Sequence, residues 1–251
     1  MAPEFEATGR LIHAFSTRQG GVSPPPFHSL NLSLNTGDKE AYVRKNRHIL
    51  ATALGFSPSA LLTVNQVHGD SILIIDSSSM RVLSGARCDA IVTNRPGIAI
   101  SVLTADCVPI LLADPDRKAI AVIHAGWKGT ASDLPGKTVR TMADRFKTQP
   151  ENLLVTAGPA IGPCCYEVDA RVYAAFSHHK DHWAEWSRGA SQNHWMLNLP
   201  LANIDLLVQA GVRRQNIHLF EICTHCQSEH FYSHRRDNGA TGRQIAFIML
   251  K

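Results

Sequence analysis

The chain of 251 residues lacks most of the signatures that reveal a function at sight. Neither G-x-G-x-x-G nor the P-loop pattern occurs, so neither nucleotide-binding fold is supported. The H-x-E and P-C-x-x-C pair of the zinc nucleobase deaminases is also missing, because Pro163-Cys164-Cys165 lacks the second spacing. Without H-E-x-x-H or G-x-S-x-G, metalloprotease and α/β-hydrolase readings fall as well. No Lys/Arg block or aromatic-basic interleaving concentrates charge as nucleic-acid binders do. The formal charge of +4 and pI near 8.8 still suit a small, phosphate-bearing substrate. The longest apolar stretch, residues 98–113, is broken by Asp106 and too short to span a bilayer. At the N-terminus, MAPEFEATGR carries acidic residues where a signal peptide would be basic and then apolar. The expectation is a soluble, cytoplasmic protein with neither a nucleic-acid nor a membrane partner.

What is present is enough apolar material, 44% of residues, to bury the core of one large domain. Three prolines exclude a helix from GGVSPPPFHSLNLSLNTGD. Val43, Leu50 and Leu54 then predict an amphipathic helix from an Asp38 cap to Gly55, with Arg47 on its apolar stripe. Strand-like runs follow at 61–67, 71–75, 90–93, 98–103, 108–113 and 119–124. Next come a helix at 137–147, a strand at 153–157, a helix from about Asp169, a helix at 198–211, and strands at 217–222 and 244–250. A meander of strands before any alternation with helices favours an α+β fold with mixed sheets over a doubly wound one.

The segment TADCVPILLADPDRKAIAVIHAGW, residues 104–127, places two apolar runs around the turn-forming Asp114-Pro115-Asp116-Arg117. A hairpin centred on that turn sets Cys107 directly opposite His124, with Cβ atoms about 5 Å apart. Such a pair can share one metal ion or one proton. His68, in NQVHGD, follows a strand and precedes a glycine that lets the chain turn sharply, which makes it a candidate third ligand.

The strings NQVHG, TADCVPILLADP, HAGWKGTA, GPAIGPCCYEVD and FYSHRRDNGATGR resemble the multi-copper polyphenol oxidase, or laccase-domain, family from about His13 to the C-terminus. That resemblance implies an α+β sandwich and a zinc-containing purine nucleoside phosphorylase with adenosine deaminase activity. Adenosine, inosine, guanosine or methylthioadenosine would give free base and ribose 1-phosphate. The resemblance maps the family's metal ligands onto His68, Cys107 and His124, and it places an arginine of the substrate pocket at Arg47. Asn31 and Asn35 match an N-terminal motif at the pocket border. A bacterial branch of the family is described as a peptidoglycan-editing factor.

Two histidines and a thiolate suit zinc and leave a fourth position open for chemistry. The same set could hold copper with a long axial methionine, but no methionine lies within these motifs, so copper oxidase chemistry is the weaker alternative. For deamination, His or Asp106 is the expected proton shuttle; for phosphorolysis, Arg47 is the expected phosphate-holding cation. A cysteine hydrolase with Cys107 as nucleophile and His124 as base is a second hypothesis. Metal buffering without turnover is a third.

The remaining cysteines and histidines carry weaker signals. Cys223-Thr224-His225-Cys226 has no second C-x-x-C to complete a zinc site, and the adjacent Cys164 and Cys165 diverge if their segment is extended. His178 with His182 reads as a solvated helix face. Ser233, Arg235, Arg236, Gly242 and Arg243 are anion-contact candidates, or else cap a sheet edge.

Overall fold

The computed structural model describes residues 3–76 and 85–251. Its strands are β1 (Leu11–Phe15), β2 (Leu61–Thr63), β3 (Ile72–Ile75), β4 (Ala90–Thr93), β5 (Ala99–Thr104), β6 (Val108–Asp114), β7 (Ala119–Ala125), β8 (Leu154–Ala157), β9 (Glu167–Asp169), β10 (Ser187–Ser191), β11 (His194–Leu197), β12 (Ile217–Leu219) and β13 (Gln244–Leu250). They form a four-stranded sheet, β1-β13-β5-β2, a six-stranded sheet, β12-β8-β6-β7-β4-β3, and a small sheet, β10-β11-β9.

The two large sheets face each other across one apolar layer. Ile100, Val102, Ala246 and Ile248 from the first meet Ile91, Leu111, Ile120 and Val122 from the second. Each sheet also buries its outer face. Ile110, Leu112, Ala121 and Ile123 pack under the helices Leu134–Phe146 and Leu199–Gln209, through Leu134, Val139, Met142, Ala202 and Leu206. Phe247 and Met249 lie under Leu30, Leu32 and Leu50. Strands covered on both sides have no polar face to show, which is why VPILLAD, AIAVIHA and QIAFIML read as nearly unbroken apolar runs. The architecture is the expected α+β sandwich flanked by helices.

The meander is corrected. Between β2 and β7, among the described residues, only β6 and β7 form an antiparallel hairpin, while β3 and β4 pair in parallel and β4 and β5 part into different sheets. A run buried on both faces does not announce its partner, because period-two patterning is absent. Helix ends followed local chemistry more closely. Asp169 and Asn198 cap their helices through side-chain oxygens, and Gly55 takes the positive φ of 75° expected just past a helix C-terminus. Asp38 does not cap the helix Glu40–Ala53; its carboxylate accepts instead from Ser23 Oγ and Asn31 Nδ2. No helix among the described residues is long and apolar enough to cross a membrane.

The proline-rich loop is ordered from inside. Asn46, fully buried on the helix Glu40–Ala53, donates to Ser23 Oγ, Ser29 O and Asn31 O and accepts from Val22 N. Asn46→Ala strands those partners, each with a cost of about 1–3 kcal/mol for groups left unsatisfied. The expected net loss is roughly 2–4 kcal/mol by urea unfolding. A loss under about 1 kcal/mol would show that other contacts hold the loop.

Candidate metal centre

The hairpin turn comprises Pro115 to Lys118, one position later than its sequence suggests, with Asp114 paired to Ala119. Asp114 Oδ1 accepts from the N–H groups of Asp116 and Arg117, and Lys118 adopts a positive φ of 50° to close the turn. The pairing is therefore displaced by two residues. His124 stands opposite Pro109, and the same register extended one residue past Val108 and Ala125 sets Cys107 against Gly126, so Cys107 and His124 are diagonal neighbours instead of a direct pair. A displacement of two preserves the face, and both side chains still converge. Gly126 makes room for them: a Cβ there would lie 3.1 Å from both Cys107 Sγ and His68 Cδ2.

His68 joins through the turn after β2, where it adopts a positive φ of 56°. The turn is held by Asp89, a fully buried carboxylate just before β4. Its oxygens accept from the N–H groups of Val67, His68 and Gly69 at 3.2, 3.0 and 2.7 Å. Asp89 Oδ1 also lies 2.8 Å from His124 Nδ1. A carboxylate at Nδ1 fixes the tautomer with Nε2 free, the arrangement that histidine ligands use. Sequence reasoning missed Asp89; its signal was an acidic residue at the mouth of an apolar strand.

Electrostatics tie the group together. Burial alone opposes the Cys107 thiolate, but the charges and hydrogen bonds of His124 and His68 outweigh it and bring the thiol down to about 6. Burial likewise opposes the His124 imidazolium, yet Cys107 and Asp89 raise it to about 9. Asp89 pays a burial penalty too, and His124 with the Gly69 and Val67 N–H groups holds it below the usual carboxylate range. Without a metal, these shifts favour a thiolate–imidazolium pair between about pH 6 and about 9.

All three residues line one cavity of about 480 Å³, together with Asp106, Asn35, Arg235 and Arg243. Trp127, Tyr166 and His234, which the sequence did not single out, line it as well. Asp106 has a φ of 102° in the crossing from β5 to β6, and both of its oxygens are engaged, Oδ1 by Thr224 Oγ1 and Oδ2 by the Arg235 N–H. Two expected contacts are not at the cavity wall. Asn31 is buried, donating to Thr36 Oγ1 and Asp38 and accepting from the Ser33 and Arg243 N–H groups. Arg47 is half-buried, with Nε donating to Leu32 O, behind the rim formed by Ser33 and Asn35. An apolar-stripe position sends a long side chain toward the core, and here the core-facing route ends on a loop carbonyl.

The ligand atoms of His68, Cys107 and His124 lie within 4.8 Å of one another, a spread that one zinc ion can bridge with small side-chain adjustments. Among the described residues no methionine lines the cavity, so none of them supplies the axial ligand of a blue-copper site. In metal-free protein, Cys107 alkylation by iodoacetamide should rise with pH around a midpoint near 6, because the thiolate is the reactive form. Asp89→Asn removes charge that supports the imidazolium, so the midpoint should move upward. A Cys107 midpoint at or above about 8, followed by mass spectrometry of its peptide, would refute the ion pair.

The family model described as multi-copper polyphenol oxidoreductase laccase matches residues 12–251. Purine nucleoside phosphorylase YlmD of Geobacillus stearothermophilus is 37% identical, covering 98% of this chain and 92% of its own. Purine nucleoside phosphorylase YfiH of Escherichia coli is 36% identical, covering 100% and 98%. Human LACC1, also named a purine nucleoside phosphorylase, is 36% identical over 96% of this chain and 56% of its own length. The crystal structure of the Geobacillus YlmD superposes with a TM-score of 0.91 at 35% identity, covering 100% of this chain and 94% of that one. The sequence motifs, the sandwich and these relatives agree: the chain belongs to the multi-copper polyphenol oxidoreductase laccase family.

Proposed function

We propose that this protein is a zinc-dependent purine nucleoside phosphorylase that also deaminates adenosine. The observation that carries the reading is the convergence of a His2Cys cluster, two arginines and two large aromatic rings on one cavity, in a chain whose relatives are named purine nucleoside phosphorylases. A cavity of this size accommodates a nucleoside. Trp127 and Tyr166 offer faces on which a purine can stack, and Arg235 lies 5.2 Å over the Tyr166 ring.

In phosphorolysis a phosphate oxygen bonds to C1′ of the ribose while the C1′–N9 bond breaks and its electron pair moves into the purine. Arg243 is our assignment for the phosphate. Burial works against its charge, and Cys107 and Asp106 favour it. Arg47 acts one step removed, by holding Leu32 and the adjoining rim. His234 is the proposed proton donor to the departing base, and Asp106 positions Arg235 and Thr224. Zinc bound by His68, Cys107 and His124 would supply Lewis acidity at the reacting end of the cavity. Deamination would use the same purine site, with water adding at the ring carbon that bears the amine and ammonia leaving.

With zinc, adenosine and phosphate, the purified protein should give adenine and ribose 1-phosphate. No free base or inosine above the Cys107→Ala background would sink the proposal. Arg243→Ala should raise KM for phosphate about tenfold or more, the value of a lost charge-assisted hydrogen bond, while changing nucleoside KM far less. If Arg47→Ala shows the larger phosphate effect, the assignment of the two arginines is reversed.

The Cys107, His124, Asp89 relay favours one second reading, a cysteine hydrolase acting on a cell-wall precursor. Chelation decides between them. Turnover that survives metal removal and stops on Cys107 alkylation belongs to the nucleophile.

A further inference from the structure

Four cysteines outside the candidate centre meet at the surface. The sulfurs of Cys164, Cys165, Cys223 and Cys226 all lie within 4.8 Å of one another. Cys226 Sγ is 3.7 Å from Cys164 Sγ and 3.4 Å from Cys165 Sγ. These separations are far beyond a disulfide bond of about 2.05 Å and close to the ~3.8 Å between sulfurs around a tetrahedral ion with Zn–S of about 2.3 Å.

The backbone explains how adjacent cysteines converge, against the expectation from an extended segment. Gly162 to Cys165 form a tight turn in which Gly162 O accepts from the N–H groups of both Cys165 and Tyr166. Side chains of neighbouring residues in such a turn need not point to opposite faces. Cys223 to Cys226 form a second turn, closed by the Gln227 N–H on Cys223 O. Cys223 Sγ accepts from the Gly162 N–H at 3.3 Å and also from the Cys226 N–H. Sulfur receiving backbone donors within a C-x-x-C turn is in the state that suits a thiolate ligand. The second turn is fastened by Arg236, whose Nη1 donates to Thr224 O and His225 O.

We propose that Cys164, Cys165, Cys223 and Cys226 form a second, closed metal site that binds one zinc ion through four thiolates and clamps the two turns together. Binding displaces the four thiol protons and leaves a complex of net charge −2. With four protein ligands no position stays open, so the site is structural. The clamp has a mechanical object. Thr224, inside the C-x-x-C turn, donates to Asp106 Oδ1, and Ile161, just before the other turn, donates through its N–H to Asp106 O. Both clamped segments therefore grip the residue that precedes Cys107.

Metal analysis of the freshly purified full chain tests this independently of any turnover. Zinc should be retained in Cys107→Ala, which loses a ligand of the other centre, and lost on adding Cys226→Ser. Misfolding of the double variant would also release zinc, so N-ethylmaleimide footprinting of the Cys107→Ala chain provides a second measurement. All four cysteines should be protected together and become reactive together when a chelator is added. Zinc-free Cys107→Ala protein, four thiols reactive from the outset, protection relieved only by reductant as for a disulfide, or iron or copper in place of zinc would each overturn the proposal. Zinc retained in Cys107→Ala, with no nucleoside turnover by the unsubstituted chain, would leave this site standing and count only against the proposed phosphorylase.

Discussion

The Asp89 carboxylate is the interaction on which the candidate centre depends. It reaches the end of β7 through His124 Nδ1 and the turn after β2 through three backbone N–H groups. Two ligands distant in sequence thus share one buried anion. That anion has three effects: it sets the tautomer of neutral His124, supports the charge of its protonated form, and holds His68 in a backbone conformation that non-glycine residues seldom adopt. Removing the donors would leave a buried charge without partners, so turn, histidine and carboxylate stand or fall together.

Around this anchor, side-chain amides do the work that regular structure does elsewhere. Asn46 organises the proline-rich loop, and Asn31 connects that loop to the backbone of Arg243. The arginine facing the cavity is consequently positioned, through its backbone, by a residue that does not itself line the cavity. Arg47 and Asn31 matched the family pattern, yet their contacts with Leu32, Thr36 and Arg243 shape the rim from behind. A motif match marks a neighbourhood; hydrogen bonds decide which member faces the substrate space.

Much of the frame was legible because it rests on local chemistry. Strands β4, β6, β7 and β13 and the helices capped by Asp169 and Asn198 follow from apolar runs and capping residues. Strand partners were less legible, since a run such as AIAVIHA is apolar toward both neighbours and gives no preferred face. His68, Cys107 and His124 were within reach of motif and hairpin reasoning. Asp89, Tyr166 and His234 were hidden because the fold brings them to the site from segments far apart in sequence, as the separation of 35 residues between Asp89 and His124 illustrates. The four-cysteine cluster was obscured for another reason: spacing rules treat adjacent cysteines as if the chain were straight, and here it turns.

Double-sided burial of β6 and β7 has a further consequence. A strand with one wet face resists slipping by a residue, because the slip would drive polar groups inward. These two strands lack that safeguard, and a single-residue slip would carry His124 to the opposite side of the sheet. The information that fixes their alignment must then reside at the ends of the hairpin, in the Asp114 turn at one end and the His124–Asp89 bond at the other. An exposed turn remote from the cavity thereby acts as the ruler for its chemistry.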